Sequence, residues 1–191
     1  MTEVDSLHLV LLEFGDVAAY LQAEDDLGRK LTLHEVISFE FATVRAPLPE
    51  VVAWLVENVC VRPGFRELVE RYRPIVVSSG FHELIEPVLA REGVQVELLA
   101  NRLDPRPDGW RVVWRDERAC GVCGEPCKRG ALSAGEGELV YAGDGYSDRC
   151  AALAADRVFA TDGLAMYLDE LGVAYERFEA LSDIARALSS K

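Results

Sequence analysis

Pro74-Ile75-Val76-Val77-Ser78-Ser79-Gly80-Phe81 carries the decision about the fold in eight residues. A short apolar, β-branched run stops at a serine–glycine turn, and an amphipathic stretch from Phe81 to Glu92 follows. The segment reads as strand, tight turn, helix. The same grammar recurs downstream. Val94 to Leu99 is expected as a strand, and Leu139-Val140-Tyr141-Ala142 as another that runs into Gly143-Asp144-Gly145 and then a helix from Asp148 to Ala155. Arg157 to Ala160 repeats the pattern, with a helix near Leu164 to Leu171. Strands that alternate with helices imply right-handed βαβ units and a parallel sheet covered on both faces. Arg111 to Trp114, after the turn-rich stretch from Asp104 to Gly109, is expected as a hairpin arm.

Upstream of Pro74 the apolar spacing is helical. Leu7, Val10, Leu11, Phe14, Val17, Ala18 and Leu21 recur at three- and four-residue intervals, with an interruption near Gly15. Thr32-Leu33-His34-Glu35 has capping-box spacing, and the apolar face after it runs to Val44 before Pro47. Pro49 to Asn58 and Gly64 to Tyr72 read as two further helices. The architecture predicted is an α/β core preceded by a helical segment.

The chain has 191 residues, 20 of them Lys or Arg and 33 Asp or Glu, for a formal net charge of −13. That balance, with no basic block, argues against nucleic acid or an anionic membrane as the main partner. No apolar run approaches the roughly 18 residues a membrane helix requires, and the first residues lack the basic start and apolar stretch of a signal peptide. The expected location is the cytoplasm, and the five cysteines are expected to be reduced.

In open parallel sheets ligands bind beyond the carboxyl ends of the strands, and two of the expected strand ends carry suitable chemistry. At Ser78-Ser79-Gly80 a hydroxyl leaves the strand where a helix begins, a place suited to phosphate and equally to an ordinary helix cap. At Gly143-Asp144-Gly145-Tyr146-Ser147-Asp148 two carboxylates four residues apart can face one point, and such hard oxygen donors suit Mg²⁺. An ordinary surface turn with incidental acids would look the same. Lys128, ahead of this strand, could offset the charge of a phosphate that the acidic chain as a whole repels.

In this order these segments resemble the haloacid dehalogenase superfamily of phosphatases, in its phosphoserine-phosphatase-like branch, and within that branch the methionine-salvage phosphatases. The resemblance takes in Arg62-Pro63-Gly64-Phe65-Arg66, Val76 to Phe81, Ala100-Asn101-Arg102-Leu103, a cysteine run ending at Lys128, and Gly143 to Asp148. It implies a Rossmann-like parallel sheet with helices on both faces and a small helical cap near the N-terminus. The corresponding division is residues 1–4 as a remnant following the first motif, 5–61 as cap and 62–191 as core. The implied reaction is Mg²⁺-dependent hydrolysis of a small phosphorylated metabolite through an aspartyl-phosphate. Ser78 takes the place of the phosphate-binding serine with the Ser79 and Gly80 amides beside it, Lys128 that of the phosphate-stabilising lysine, Asp144 that of a Mg²⁺ ligand and Asp148 that of a supporting carboxylate. The family's first strand, which ends in Asp-x-Asp-Gly-Thr and supplies the nucleophile, has no counterpart in the 191 residues, and Met1 to Leu7 matches the residues just after that motif. The expectation is a displaced start or a truncated chain, inactive as written and lacking the central strand; the alternative is a degenerate phosphate-binding or interaction module.

The resemblance also places Asp5 where a substrate-binding acid of the phosphoserine enzymes stands, and Glu40, with Arg45 near it, where those enzymes use a carboxylate-binding arginine. A phosphorylated sugar or keto compound is therefore expected rather than phosphoserine. Cys120, Cys123 and Cys127 include a C-x-x-C pair that suits zinc or redox chemistry, with Cys60, Cys150, His8, His34 or His82 as fourth ligand, or simply free thiols. His82 is read as a packed or solvated residue at a helix start.

Overall fold

The computed structural model describes residues 1–132 and 137–189. Helices α1 (Ser6–Phe14), α2 (Val17–Asp26), α3 (Leu33–Phe41), α4 (Leu48–Asn58) and α5 (Phe65–Tyr72) come first. They are followed by strand β1 (Ile75–Phe81), helix α6 (His82–Glu92), β2 (Glu97–Asp104) and β3 (Arg111–Val113). A 3-10 turn at Lys128–Ala131 precedes β4 (Val140–Gly143), a second at Tyr146–Asp148 and α7 (Arg149–Ala152). The chain ends with β5 (Arg157–Ala160), α8 (Asp162–Leu171), β6 (Glu176–Arg177) and α9 (Leu181–Ser189). The class is mixed α/β with parallel strand pairs, as expected of a haloacid-dehalogenase-like sheet.

Local chemistry sets the helix ends. Gly15 closes α1, and the Asp16 carboxylate then accepts from the Ala18 and Ala19 amides to start α2. Thr32 and Glu35 form the reciprocal capping box that opens α3. That helix stops at Phe41, although the buried side chain of Val44 continues its apolar series through a turn.

The chain divides into two compact units. The first comprises Met1–Arg62 and Pro74–Asp116. Its sheet has the order β1-β2-β3, β1 parallel to β2 and β3 antiparallel to it, so Arg111–Val113 is the hairpin arm that the turn signals predict. The β1–β2 register runs from Ile75 opposite Glu97 to Val77 opposite Leu99, then shifts so that Phe81 stands opposite Asn101. Residues 78–80 form the irregularity. β1 therefore runs through the expected serine–glycine turn to Phe81, and α6 starts at His82, one residue after the expected Phe81. Phe41, Phe81 and Trp110 centre the core of this unit, with the Phe41 and Phe81 rings edge to face at 4.7 Å.

The second unit comprises Pro63–Arg73 and Glu117–Lys191. Its sheet has the order β4-β5-β6, all parallel, with Val140 to Gly143 opposite Arg157 to Ala160. Tyr141, Val158, Ala160, Leu164 and Leu168 form its core. Helix α5 packs on α9, and the Tyr72 hydroxyl donates to the Ala185 carbonyl at 3.0 Å. Among the described residues β1 and β4 each have one hydrogen-bonded strand neighbour.

Candidate active site

In the second unit β4 delivers the chain into a turn organised around one carboxylate. Asp148 is 3% exposed. Its Oδ1 accepts from Lys128 Nζ and from the Tyr141 hydroxyl, both at 2.7 Å, and its Oδ2 accepts from the Asp144 and Gly145 amides, both at 3.0 Å. Burial opposes its charge. The Lys128 ammonium, the Tyr141 hydroxyl and the Gly145 amide outweigh that opposition and hold the carboxyl below the usual aspartate range. The same burial, with the Asp148 charge next to it, pushes the Tyr141 phenol up.

Gly143 is needed for this carboxylate to reach its donors, because a Cβ there would lie 2.6 Å from Asp148 Cγ. Gly143→Ala should displace the carboxylate and destabilise the protein by about 1–3 kcal/mol, the usual cost of overpacking. Thermal denaturation checks this, and an unchanged midpoint would show that the turn adapts.

Both oxygens of Asp148 are thus engaged by protein donors, while Asp144, partly exposed, lies at the end of β4 with its amide on Asp148 and its carbonyl accepting from the Leu164 amide at 3.0 Å. This arrangement suits Asp144 as the carboxylate that would hold Mg²⁺ and Asp148 as the one that fixes the turn and the lysine. The Lys128 side chain is 14% exposed and belongs to the 3-10 turn that follows Cys127.

Ser78, Ser79 and Gly80 lie in the first unit, so the structure brings Lys128, Asp144 and Asp148 together in one unit and describes the serine turn in the other. There Ser78 Oγ accepts from the Gly80 amide at 3.0 Å. Asn101, buried on β2, donates to the Ser79 carbonyl at 2.8 Å and accepts from the Arg115 amide at 3.0 Å, which fixes the bulge. Asp5 caps α1 through the Leu7 amide. Glu40 is buried on α3 beside Glu24, and its Oε1 has no hydrogen-bond partner. Burial, then the charges of Glu24 and Asp5, push its carboxyl up to about 8. Tyr20 next to them is raised to about 12, chiefly by burial and by Glu24.

The three histidines all lie in the first unit with partners: His8 on the Tyr20 hydroxyl, His34 stacked on Trp114 at 3.6 Å, and His82 on Glu86 at 2.8 Å. In the second unit Cys120, Cys123, Cys127 and Cys150 bring their sulfur atoms within 4.8 Å of one another. Cys60 belongs to the first unit and is exposed.

One residue of the site escapes a reading of the sequence: Tyr141 occupies an apolar strand pattern, and only its hydroxyl hints at a partner. In the first unit Asn101 is buried on β2 between Ala100 and Arg102, and its hydrogen bonds to the Ser79 carbonyl and the Arg115 amide follow from the fold and not from periodicity.

Residues 12–153 match the family model described as haloacid dehalogenase-like hydrolase. Among curated proteins, the chain is 26% identical over 200 aligned positions to the 2-hydroxy-3-keto-5-methylthiopentenyl-1-phosphate phosphatase of Geobacillus kaustophilus, covering 98% of this chain and 90% of that protein. The corresponding phosphatase of Bacillus cereus is 25% identical, with 98% and 91% coverage. The polyol phosphate phosphatase of Saccharomyces cerevisiae is 29% identical over 168 positions, covering 76% of this chain and 70% of that one.

Proposed function

Since the chain belongs to the haloacid dehalogenase-like hydrolase family, we propose that it is a Mg²⁺-dependent phosphomonoester hydrolase acting on a small phosphorylated metabolite in the cytoplasm. The observation that carries the reading is the Asp148 carboxylate, held by four donors, with Lys128 as one of them. An ammonium has three N–H donors and Asp148 engages one at 2.7 Å, so the lysine is aimed and has protons left for a phosphate oxygen. The Ser78 hydroxyl, which accepts from the Gly80 amide, can donate its own proton to phosphate.

The oxygen donors of the Gly143–Asp148 turn fit a hard divalent cation, and Asp144 is the residue that would hold it. When bound, Mg²⁺ offsets negative charge on the transferring phosphoryl group. Lys128 adds a second positive group, and Asp148 keeps that group in place while the reaction runs. Covalent transfer through an aspartyl-phosphate also needs an attacking carboxylate, and no Asp-x-Asp pair occurs in the 191 residues. As for the substrate, the family resemblance sets Glu40 where the phosphoserine enzymes use a carboxylate-binding arginine, and a glutamate cannot make that bidentate pair, which favours a hydroxylated or keto phosphate over a carboxylate-bearing ester. The names of the relatives agree in kind.

Hydrolysis of an aryl phosphate with Mg²⁺ and with chelator tests the reading. It should be run on the 191-residue chain and on a chain extended through any in-frame coding sequence before Met1. In an active form Asp144→Asn is expected to lower kcat by roughly 10²-fold or more without unfolding the protein. If the extended chain is inactive on a panel of phosphorylated metabolites while Asp144→Asn still weakens phosphate binding, the protein is a phosphate-binding module instead.

A further inference from the structure

We propose that Cys120, Cys123, Cys127 and Cys150 form a tetrathiolate site for a structural Zn²⁺ ion. The four sulfur atoms lie within 4.8 Å of one another, and Cys120 Sγ stands 3.9 Å from Cys150 Sγ. A tetrahedron built on Zn–S bonds of ~2.3 Å has edges of ~3.8 Å. A disulfide would need about 2.0 Å, and all five cysteines are free thiols. Three of the ligands come from one loop, and the fourth comes from α7, beyond β4.

The loop is shaped as a ligand-bearing turn. The Val122 amide points at Cys120 Sγ at 3.5 Å, and the Gly124 amide donates to the Cys120 carbonyl at 2.9 Å. Gly124 has φ +79°, a left-handed conformation that lets the chain reverse directly after the C-x-x-C pair. Amides aimed at a sulfur stabilise thiolate, the form that binds metal. Arg129 donates to the Cys150 carbonyl at 3.3 Å and places a guanidinium beside the cluster, which offsets part of the charge of four thiolates on a divalent ion.

The donor set decides the metal and its role. Four soft thiolates with no carboxylate among them select zinc over Mg²⁺, and four protein ligands leave no position for substrate or water. Binding is Zn²⁺ plus four thiols giving one zinc tetrathiolate and four released protons, with no change of oxidation state. The ion would staple the loop to α7. Because Cys127 precedes Lys128 and Cys150 follows Asp148 by two residues, the staple spans both partners of the Lys128–Asp148 contact. The site rests on the thiols alone and holds whether or not the chain hydrolyses phosphate.

Elemental analysis of the protein purified under reducing conditions without chelator is expected to find about one zinc per chain. Cys150→Ser should reduce that to near zero, Cys60→Ser should leave it unchanged, and Cys150→His should retain metal. Exchange with Co²⁺ should give the visible absorption of a tetrahedral thiolate complex. Should Cys150→Ser not fold, the zinc content and cobalt spectrum of the unmodified chain decide the matter. Absence of zinc from the isolated protein and failure of the reduced protein to take it up would overturn the proposal. So would zinc retained in Cys150→Ser, or a metal-free mass lower by one or two disulfides.

Discussion

Asp148→Ala is expected to destabilise the protein by about 3–5 kcal/mol, which lowers the melting midpoint by roughly 10 °C in a chain of this size. The side chain removed serves four donors at 2.7–3.0 Å. Its loss leaves a largely buried ammonium at Lys128 without its counter-charge and a buried phenol at Tyr141 without an acceptor. Two comparisons identify the cause. Removing the lysine as well, in Asp148→Ala with Lys128→Met, should recover part of the loss, because the cost lies in the orphaned charge and not in the missing contact. The pH dependence carries a definite sign. The Asp148 carboxyl titrates below its unfolded value, so its contribution is complete above about pH 4 and disappears as pH falls through the folded value. Stability curves of the native protein and Asp148→Ala should therefore converge in acid. A midpoint within about 2 °C of the native one at neutral pH, equivalent to about 1 kcal/mol or less, would mean that the network is not the anchor described.

Glu40→Gln is expected to do the opposite and stabilise. Glu40 is 3% exposed and titrates near 8, raised by burial and by Glu24 and Asp5. Between about pH 4.5 and 8 the folded protein keeps a proton that the unfolded chain has released. Stability of the native sequence therefore falls as pH rises through that window, by up to about 5 kcal/mol at ~1.4 kcal/mol per pH unit. Glutamine copies the neutral form and can donate to Glu24, so the variant should gain on the native protein from pH 5 to pH 8 and hold that gain above it. Melting midpoints across this range give the difference directly. Parallel curves would place the Glu40 proton elsewhere.

How far the sequence discloses this molecule depends on how local each signal is. The break near Gly15 and the Thr32–Glu35 box are encoded within a few residues, and the helices that follow begin beside them. β1 extends past the expected end because residues 78–80 leave the ladder and rejoin it at Phe81, a result of pairing with β2 that periodicity does not contain. β6 carries no such local signal, because Glu176–Arg177 is too short to show alternation, whereas α9 does, with Leu181, Ile184 and Ala185 at helical spacing and Asp183 accepting from the amides before it. At the site, Lys128, Asp144 and Asp148 are legible as residue types in order, but the division of work between the two acids is not. It follows from which donors reach Asp148, and Tyr141 and the backbone amides are two of three kinds. Cys150 is one of several possible companions to the C-x-x-C pair until α7 sets it against the loop.

The placing of Lys128 also bears on how a ligand arrives. Its charge is matched by Asp148 at 2.7 Å and largely screened from bulk water. From a Debye length away the pair is close to neutral, and the chain presents its charge of −13 instead. A phosphate dianion would thus approach against repulsion and meet attraction only over the last few ångströms, so the lysine governs how long the ligand stays and contributes little to how often it comes.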